Sequence, residues 1–152
     1  MRKWLAFSAV VIAIDVYTKH LIQQAFQYGE HLQITPFFDL VRYHNEGAAF
    51  SFLANQGGWQ HFFFTAIAVV ASAVMIYLLR KHAEQKLFCF AIALVLGGAL
   101  GNLYDRLTLG YVVDFLFFHY QIYYWPAFNV ADSAITGGVA LLFLDSFKKP
   151  SI

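Results

Sequence analysis

Four long apolar segments dominate this chain of 152 residues, and they run over residues 4–22, 61–79, 87–104 and 127–144. At 1.5 Å per residue, a helix of about 18 residues reaches about 27 Å, close to the roughly 30 Å hydrocarbon core of a bilayer. The composition agrees, because 60% of the residues are hydrophobic and only 12% are charged, against about 25% in an ordinary soluble domain. The sequence therefore predicts a mainly α membrane protein with four transmembrane helices, folded as a single domain over residues 1–152.

The charge balance and the cysteine count exclude several kinds of partner and cofactor. Ten Lys+Arg against nine Asp+Glu leave a net charge of +1, so no basic field gathers phosphates and nucleic acid is not an expected partner. The single cysteine, Cys89, lies inside an apolar segment. An internal disulfide and a cysteine-based metal cluster are therefore excluded.

The positions of the cationic residues predict the orientation in the membrane. Seven of the ten Lys+Arg lie at the termini and in the loop between the second and third segments: Arg2, Lys3, Arg80, Lys81, Lys86, Lys148 and Lys149. The positive-inside rule then places both termini in the cytoplasm. The two remaining connections, residues 23–60 and 105–126, are expected outside.

The two outer connections differ in their expected structure. Residues 32–53 mix aromatic and β-branched side chains with breakers at Pro36 and Gly47, which predicts a small extracytoplasmic β-sheet in the first outer loop. Residues 107–125 are so aromatic that we expect them to lie in the membrane interface or to re-enter the membrane.

Polar residues that are costly inside a bilayer gather at one predicted depth. The first and third segments run outward and the fourth runs inward, so the outer part of the bilayer would hold Asp15, Lys19, Asn102, Asp105, Arg106, Asn129 and Asp132. Asp114, in the second outer connection, can join them. Enrichment of this kind from separate segments is the pattern of a site that opens on the outer leaflet.

Most of these polar residues, and five glycines near them in sequence, also have a purely structural interpretation. Asp15 and Lys19 are four positions apart, so they share a helix face and can neutralise each other. Asn129 or Asp132 can cap the fourth helix. Snorkelling at a helix end would account for Asp105 and Arg106. Close helix packing would account for Gly97, Gly98, Gly101, Gly137 and Gly138.

Two aspartates have no cation close to them in sequence. Asp114 and Asp132 are each flanked by apolar residues. If the fold brings the two carboxyl groups together, both cannot ionise, because like charges at short range raise one pKa and leave a shared proton. Such a pair supplies an acid and a base at once, as peptide-bond hydrolysis requires. No zinc-protease motif, glycine-rich phosphate loop or serine-hydrolase elbow accompanies them.

Five sequence blocks occur in order along the chain: Asp15–Lys19 (DVYTK), Asn45–Ser51 (NEGAAFS), Gly97–Arg106 (GGALGNLYDR), Val112–Phe115 (VVDF) and Phe128–Ser133 (FNVADS). Together, on a four-segment frame, they resemble the lipoprotein signal peptidase family, also called signal peptidase II. Each block alone is weak, whereas five in order are highly specific.

The resemblance implies an aspartic endopeptidase of the bacterial inner (cytoplasmic) membrane. Such an enzyme cleaves the signal peptide from diacylglyceryl-modified prolipoproteins on the N-terminal side of the lipidated cysteine, with water as the nucleophile. By resemblance, Asp114 and Asp132 are the catalytic pair. The residues that bind substrate or shape the site would be Asp15, Lys19, Asn45, Gly47, Asn102, Asp105, Arg106, Asn129 and Ala131. The expected partners are lipid-modified prolipoproteins and membrane lipid; we expect a monomer, with no metal and no cofactor.

Two interpretations from other functional classes stay open on the sequence alone. A small ion-coupled or proton-coupled transporter would use the same aspartates to relay cations, although the ionisable residues stop at the outer third and no inverted repeat is visible. A non-enzymatic membrane assembly subunit would explain the glycines, but not five polar blocks at one depth.

Overall fold

The computed structural model describes residues 1–46 and 59–147. In chain order, the described elements are α1 (Arg2–Ala25), β1 (His31–Thr35), β2 (Phe38–Asn45), α2 (Trp59–Lys81), α3 (Lys86–Leu109), β3 (Val112–Tyr120), β4 (Tyr123–Tyr124) and α4 (Val130–Ser146). Each helix coincides with one predicted apolar segment. Gly47 and the predicted strand residues after position 46 lie outside the described residues.

The helices differ in their capacity to cross a membrane. Within the described ranges, α1, α3 and the part of α2 from Phe62 onward are long and apolar enough, with mean hydropathies of 1.6, 2.0 and 2.4. Helix α4 has 17 residues, about 26 Å at 1.5 Å per residue. It begins three residues later than predicted because Asn129 is extended and caps it. Three apolar helices are therefore established, and the fourth transmembrane span stays a prediction.

Helix α3 is the centre of the bundle and packs against each of the other three helices. At one end, a wholly apolar cluster joins α2 to the first half of α3 through Met75, Leu79, Cys89, Ile92 and Leu96. The buried charged residues of the helices lie toward the other end, at Asp15, Lys19 and Asp105. The bundle therefore separates an apolar half from a polar half, as the shared depth of the polar residues predicts.

Glycines allow the helices to approach closely, as predicted for four of the five positions. A Cβ atom on Gly97 would lie 2.7 Å from the Cβ of Val11 on α1. A Cβ on Gly98 would collide with the carbonyl oxygen of Ala131 on α4. Similar contacts meet Gly101 and Gly138, whereas a Cβ on Gly137 would have nothing within 4 Å. The packing interpretation is therefore wrong for Gly137 alone among the five.

The sheet is antiparallel, with strand order β1-β2-β3-β4. Strands β1 and β2 come from the first outer connection, as predicted, but β3 and β4 come from the second. The prediction of a sheet in the first outer loop was thus incomplete, because the run VVDFLFFHY is apolar or aromatic nearly throughout and lacks the alternation that marks a half-buried strand. Its first four residues, Val112 to Phe115, are all buried.

Two features attach the sheet to the helices. Helix α3 ends at Gly110, whose φ of 84° is left-handed and lets the chain reverse into β3. Val113 and Phe115 of β3 then pack with Ile22 near the end of α1. The first half of β3 is therefore held against the polar end of the bundle.

The adjacent glycines of α4, Gly137 and Gly138, give a matched test of the packing between α4 and α3. We expect Gly138→Ala to destabilise the protein by about 1–3 kcal/mol, because the new methyl group overpacks α4 against Val95 and the carbonyl of Ala91. The matched control, Gly137→Ala, meets open space and should leave stability unchanged or slightly raised. Thermal unfolding midpoints in detergent measure both variants, and equal midpoints would contradict the predicted contact.

Candidate active site

The strand that carries Asp114 is hydrogen-bonded to the segment that leads into α4. The backbone N–H groups of Phe115 and Leu116 donate to the carbonyl oxygen of Phe128 at 3.0 and 2.9 Å, and the Phe128 N–H donates back to Leu116 at 3.1 Å. Asp114 immediately precedes this pairing, and Asn129 immediately follows Phe128. This pairing therefore brings Asp114 close to Asp132, although 18 residues separate them. The sequence alone could not show that the two aspartates meet.

Asn129 connects both aspartates, and it is fully buried. Its side-chain oxygen accepts from the Asp132 N–H at 2.9 Å, while Asp132 Oδ2 accepts from the Asn129 N–H at 3.3 Å. This reciprocal pair is a capping box at the start of α4. Asn129 Nδ2 also donates to Asp114 Oδ1 at 2.7 Å. The capping interpretation of Asn129 is therefore confirmed, and the same side chain joins α4 to Asp114.

Asn102 supplies the second amide between the helices and the aspartates. Its Nδ2 donates to Asp132 Oδ1 at 2.8 Å, and its Oδ1 accepts from Asn129 Nδ2 at 3.3 Å. Asn45, at the end of β2, donates from Nδ2 to Asp114 Oδ2 at 3.1 Å. Three predicted asparagines thus surround the two predicted catalytic aspartates with neutral donors.

A buried ion cluster lies on the α1 side of this amide network. Lys19 Nζ is 2.7 Å from Asp15 Oδ2 and 3.1 Å from Asp105 Oδ2, with the lysine side chain only 1% exposed. The predicted pairing of Asp15 with Lys19 is confirmed and includes a third member. Asp105 is 2% exposed, so its interpretation as a snorkelling helix-end residue is wrong.

Both carboxylates of the ion cluster also fix backbone groups next to the two predicted catalytic aspartates. Asp15 Oδ1 accepts from the N–H of Ala131 at 2.7 Å, and Asp105 Oδ2 accepts from the N–H of Val113 at 3.0 Å. Ala131 therefore contacts the ion cluster through its backbone N–H, and its carbonyl oxygen lies close to Gly98. Arg106 lies with its guanidinium carbon 5.6 Å from the Phe64 ring centroid, within electrostatic range of Asp114 and Asp132.

The electrostatic environment of Asp114 favours its protonated form. The side chain is 4% exposed, and this burial, followed by the nearby charge of Asp132, raises the pKa of Asp114 from 3.8 to about 7. The hydrogen bonds from Asn45 and Asn129 act in the opposite direction. Near neutral pH a large fraction of Asp114 therefore carries its proton.

A cavity of about 630 Å³ opens beside Asp132. Its walls are mostly apolar, and its lining residues are Trp125, Pro126, Ala127, Phe128, Asp132, Ser133 and Thr136. No prediction from the sequence included this cavity. The sequence feature that could have indicated it is the run from Trp125 to Phe128, which contains two aromatic residues and a proline close to Asp132. The cavity volume lies within the usual range of about 300–1,000 Å³ for small-molecule sites.

Comparison with known proteins gives consistent matches over nearly the whole chain. The model of the family described as signal peptidase (SPase) II matches residues 7–148. The lipoprotein signal peptidase of Paraburkholderia phytofirmans is 54% identical over 149 residues, which cover 98% of this chain and 87% of the relative. That of Cupriavidus necator is 51% identical over 146 residues, covering 96% and 83%.

Solved structures agree with the sequence relatives. A bacterial membrane enzyme determined by the in meso method at 1.9 Å resolution superposes with a TM-score of 0.87 at 31% sequence identity, covering 98% of this chain and 95% of that one. A second such structure, at 2.3 Å resolution, gives a TM-score of 0.85 at 29% identity, covering 100% and 95%.

The raised pKa of Asp114 predicts a pH-dependent stability. Because the folded state holds this proton up to about pH 7 whereas the unfolded chain releases it near 3.8, the free energy of unfolding should fall by up to about 3 kcal/mol between about pH 5 and pH 8. Asp114→Asn should remove this part of the pH dependence, and the matched control Glu84→Gln, at an exposed position, should keep it. Thermal midpoints at both pH values measure the difference; the same slope in Asp114→Asn and wild type would contradict the assignment.

Proposed function

This chain belongs to the signal peptidase II family, and on that premise we propose that it is an aspartic endopeptidase in which Asp114 and Asp132 activate a water molecule. Its substrates are diacylglyceryl-modified prolipoproteins, cut on the N-terminal side of the lipidated cysteine. Membership of a bacterial membrane protease family makes the transporter and assembly-subunit interpretations wrong.

The observation that carries the proposal is that a single residue, Asn129, donates hydrogen bonds to both aspartates. Its Nδ2 donates to Asp114 and its backbone N–H donates to Asp132. The charge of Asp132 also contributes to the raised pKa of Asp114. Two carboxyl groups that share a donor residue, one of them with a pKa raised by the charge of the other, have the properties that a general acid–base pair requires.

The chemistry follows from a pair that holds one proton. The ionised carboxylate takes a proton from water as the water oxygen attacks the scissile carbonyl carbon, and the protonated partner donates its proton to the carbonyl oxygen. The resulting gem-diol collapses when the pair returns a proton to the leaving amine and the C–N bond breaks. Neutral amides from Asn45, Asn102 and Asn129 orient the carboxyl groups without adding a third negative charge. No metal takes part in these steps.

The cavity beside Asp132 supports a lipid-modified substrate. Its mostly apolar lining shares a wall with a catalytic carboxyl group, so an acyl chain attached to the residue after the cut can remain in an apolar environment while the peptide bond meets the aspartates. Exposed Trp125 and Thr136 leave the cavity open on the outside of α4. A substrate anchored in lipid would then approach sideways from the membrane.

The membrane placement in this proposal follows the positive-inside rule. Both termini lie in the cytoplasm of a bacterium, α4 is the fourth span of the inner membrane, and the aspartates lie near the outer leaflet below the sheet. The functional unit in this proposal is a single domain and a monomer. One chain is sufficient for the site, because it supplies both aspartates and all three asparagines.

Cleavage of a diacylglyceryl-modified prolipoprotein peptide by the purified protein tests the catalytic pair. We expect Asp114→Asn and Asp132→Asn each to lose at least about a thousandfold in rate, about 4 kcal/mol of transition-state stabilisation. Glu84→Gln, at an exposed position, serves as the control with normal rate. Near-normal cleavage by either folded aspartate variant would show that this residue is structural, and activity that depends on added zinc would contradict the scheme.

Filling the cavity tests where the lipid binds. Thr136→Trp should lower kcat/KM for the lipidated peptide by about tenfold or more, about 1.4 kcal/mol, because the indole occupies space that the acyl chain needs. Val139→Trp, at an exposed position on the same helix that is not part of the cavity lining, is the matched control. Equal kinetics for the two tryptophan variants would place the lipid elsewhere.

A further inference from the structure

Lys19 takes no part in the proposed proton transfers, yet it is among the most deeply buried side chains of the described residues. Its ammonium group has three N–H bonds and three acceptors: Asp15 Oδ2 at 2.7 Å, Asp105 Oδ2 at 3.1 Å and Asn102 Oδ1 at 2.9 Å. Two of these contacts neutralise charge. The third, to Asn102, reaches toward the catalytic pair.

The contact from Lys19 fixes which way the Asn102 amide points. With the oxygen toward Lys19, the NH₂ group faces Asp132 and donates at 2.8 Å. A flipped amide would direct its NH₂ group at the ammonium and its oxygen at the carboxylate, so both contacts would become repulsive. Asn129 adds to this preference because its Nδ2 also donates to Asn102 Oδ1. Removal of the ammonium would leave the weaker 3.3 Å contact from Asn129 as the remaining donor to that oxygen.

The two catalytic aspartates occupy different surroundings, and Asp132 has hydrogen-bond donors and a helix dipole that stabilise negative charge. Asp132 is half-buried and lies in the first turn of α4, at the positive end of the helix dipole. It accepts hydrogen bonds on both oxygens, from Asn102 Nδ2 and from the Asn129 N–H. Asp114 is buried in a strand, and its raised pKa favours the protonated form.

We propose that Lys19 is a positioning residue that holds the Asn102 NH₂ group toward Asp132, so that Asp132 is the base that deprotonates water and Asp114 is the acid that protonates the scissile carbonyl. The inference rests on the proposed aspartic mechanism and assigns the roles within it. Lys19 acts through Asn102 and touches neither substrate nor catalytic aspartate.

A purely structural role for Lys19 makes a different prediction. As a structural ion pair it would change the fraction of folded protein, but not the pH–rate profile of the folded enzyme. As a positioning residue it changes kcat and the acid limb of that profile. The charged groups that interact with Asp132 are Asp114 from β3 and Arg106 from α3. Asn102 links Asp132 to Lys19, which is paired with Asp15 and Asp105.

The test uses Lys19→Met together with Asp15→Asn, so that one positive and one negative charge leave the buried cluster together. Lys3→Met, on the same helix but beside Trp4 at the other end, is the matched control. We expect kcat to fall about 100-fold with KM within about threefold, which is the size of effect that misplaced acid–base groups give. The acid limb of the pH–rate profile should move to higher pH by about one unit, because Asp132 loses its oriented donor.

Asn102→Asp provides a second variant that keeps Lys19 and gives it another anionic partner, so that folding does not depend on the loss of a buried charge. A carboxylate at this position cannot donate to Asp132, and kcat should fall by at least about 100-fold. Thermal midpoints and pH profiles are measured for every variant. An unshifted acid limb in the Lys19→Met double variant, or near-normal kcat in Asn102→Asp, would overturn the assignment. The proposed function itself fails separately, if Asp114→Asn or Asp132→Asn remains active.

Discussion

The interaction on which the described structure depends is the burial of one ammonium group between two carboxylates. An unpaired charge at this position would cost about 3–5 kcal/mol or more, so Lys19, Asp15 and Asp105 must remain together. Because Asp15 also holds the Ala131 N–H and Asp105 holds the Val113 N–H, the same cluster fixes α1, α3, the start of α4 and the start of β3. The polar end of the bundle is therefore built around Lys19.

The two aspartates lie on different kinds of element, a strand and a helix N-terminus. Two aspartates on neighbouring helical turns would share similar surroundings and titrate alike. Here Asp114 lies in a buried strand and Asp132 lies in the first turn of α4, where the helix dipole stabilises negative charge. Different surroundings for two carboxyl groups are the usual basis for distinct acid and base roles. Asn129 caps α4 and donates to Asp114, so it holds the strand that carries Asp114 next to the first turn of α4.

The sequence was sufficient for the helices, but not for the sheet. Apolar runs long enough to span a bilayer are a strong local signal, and each described helix coincides with a predicted segment. Strand β3 gave no such signal because its first four residues are all buried, so alternation is absent. The contact between Asp15 and Ala131 joins residues 116 positions apart, and no local pattern encodes it. Resemblance to a family placed Ala131 in the site, whereas only the structure showed that its backbone makes the contact.

The connection between α3 and α4 contains strand β3 for a physical reason. Where a chain leaves one helix and enters another beside an apolar bundle, its backbone N–H and C=O groups must find partners, because an unpaired buried group costs about 1–3 kcal/mol. Pairing of β3 with β2 on one side, and with Phe128 on the other, supplies those partners along the segment that carries Asp114. A loop of the same length would leave that aspartate without a fixed position. The sheet is therefore the element that allows a buried carboxyl group to be presented, rigidly, to the end of α4.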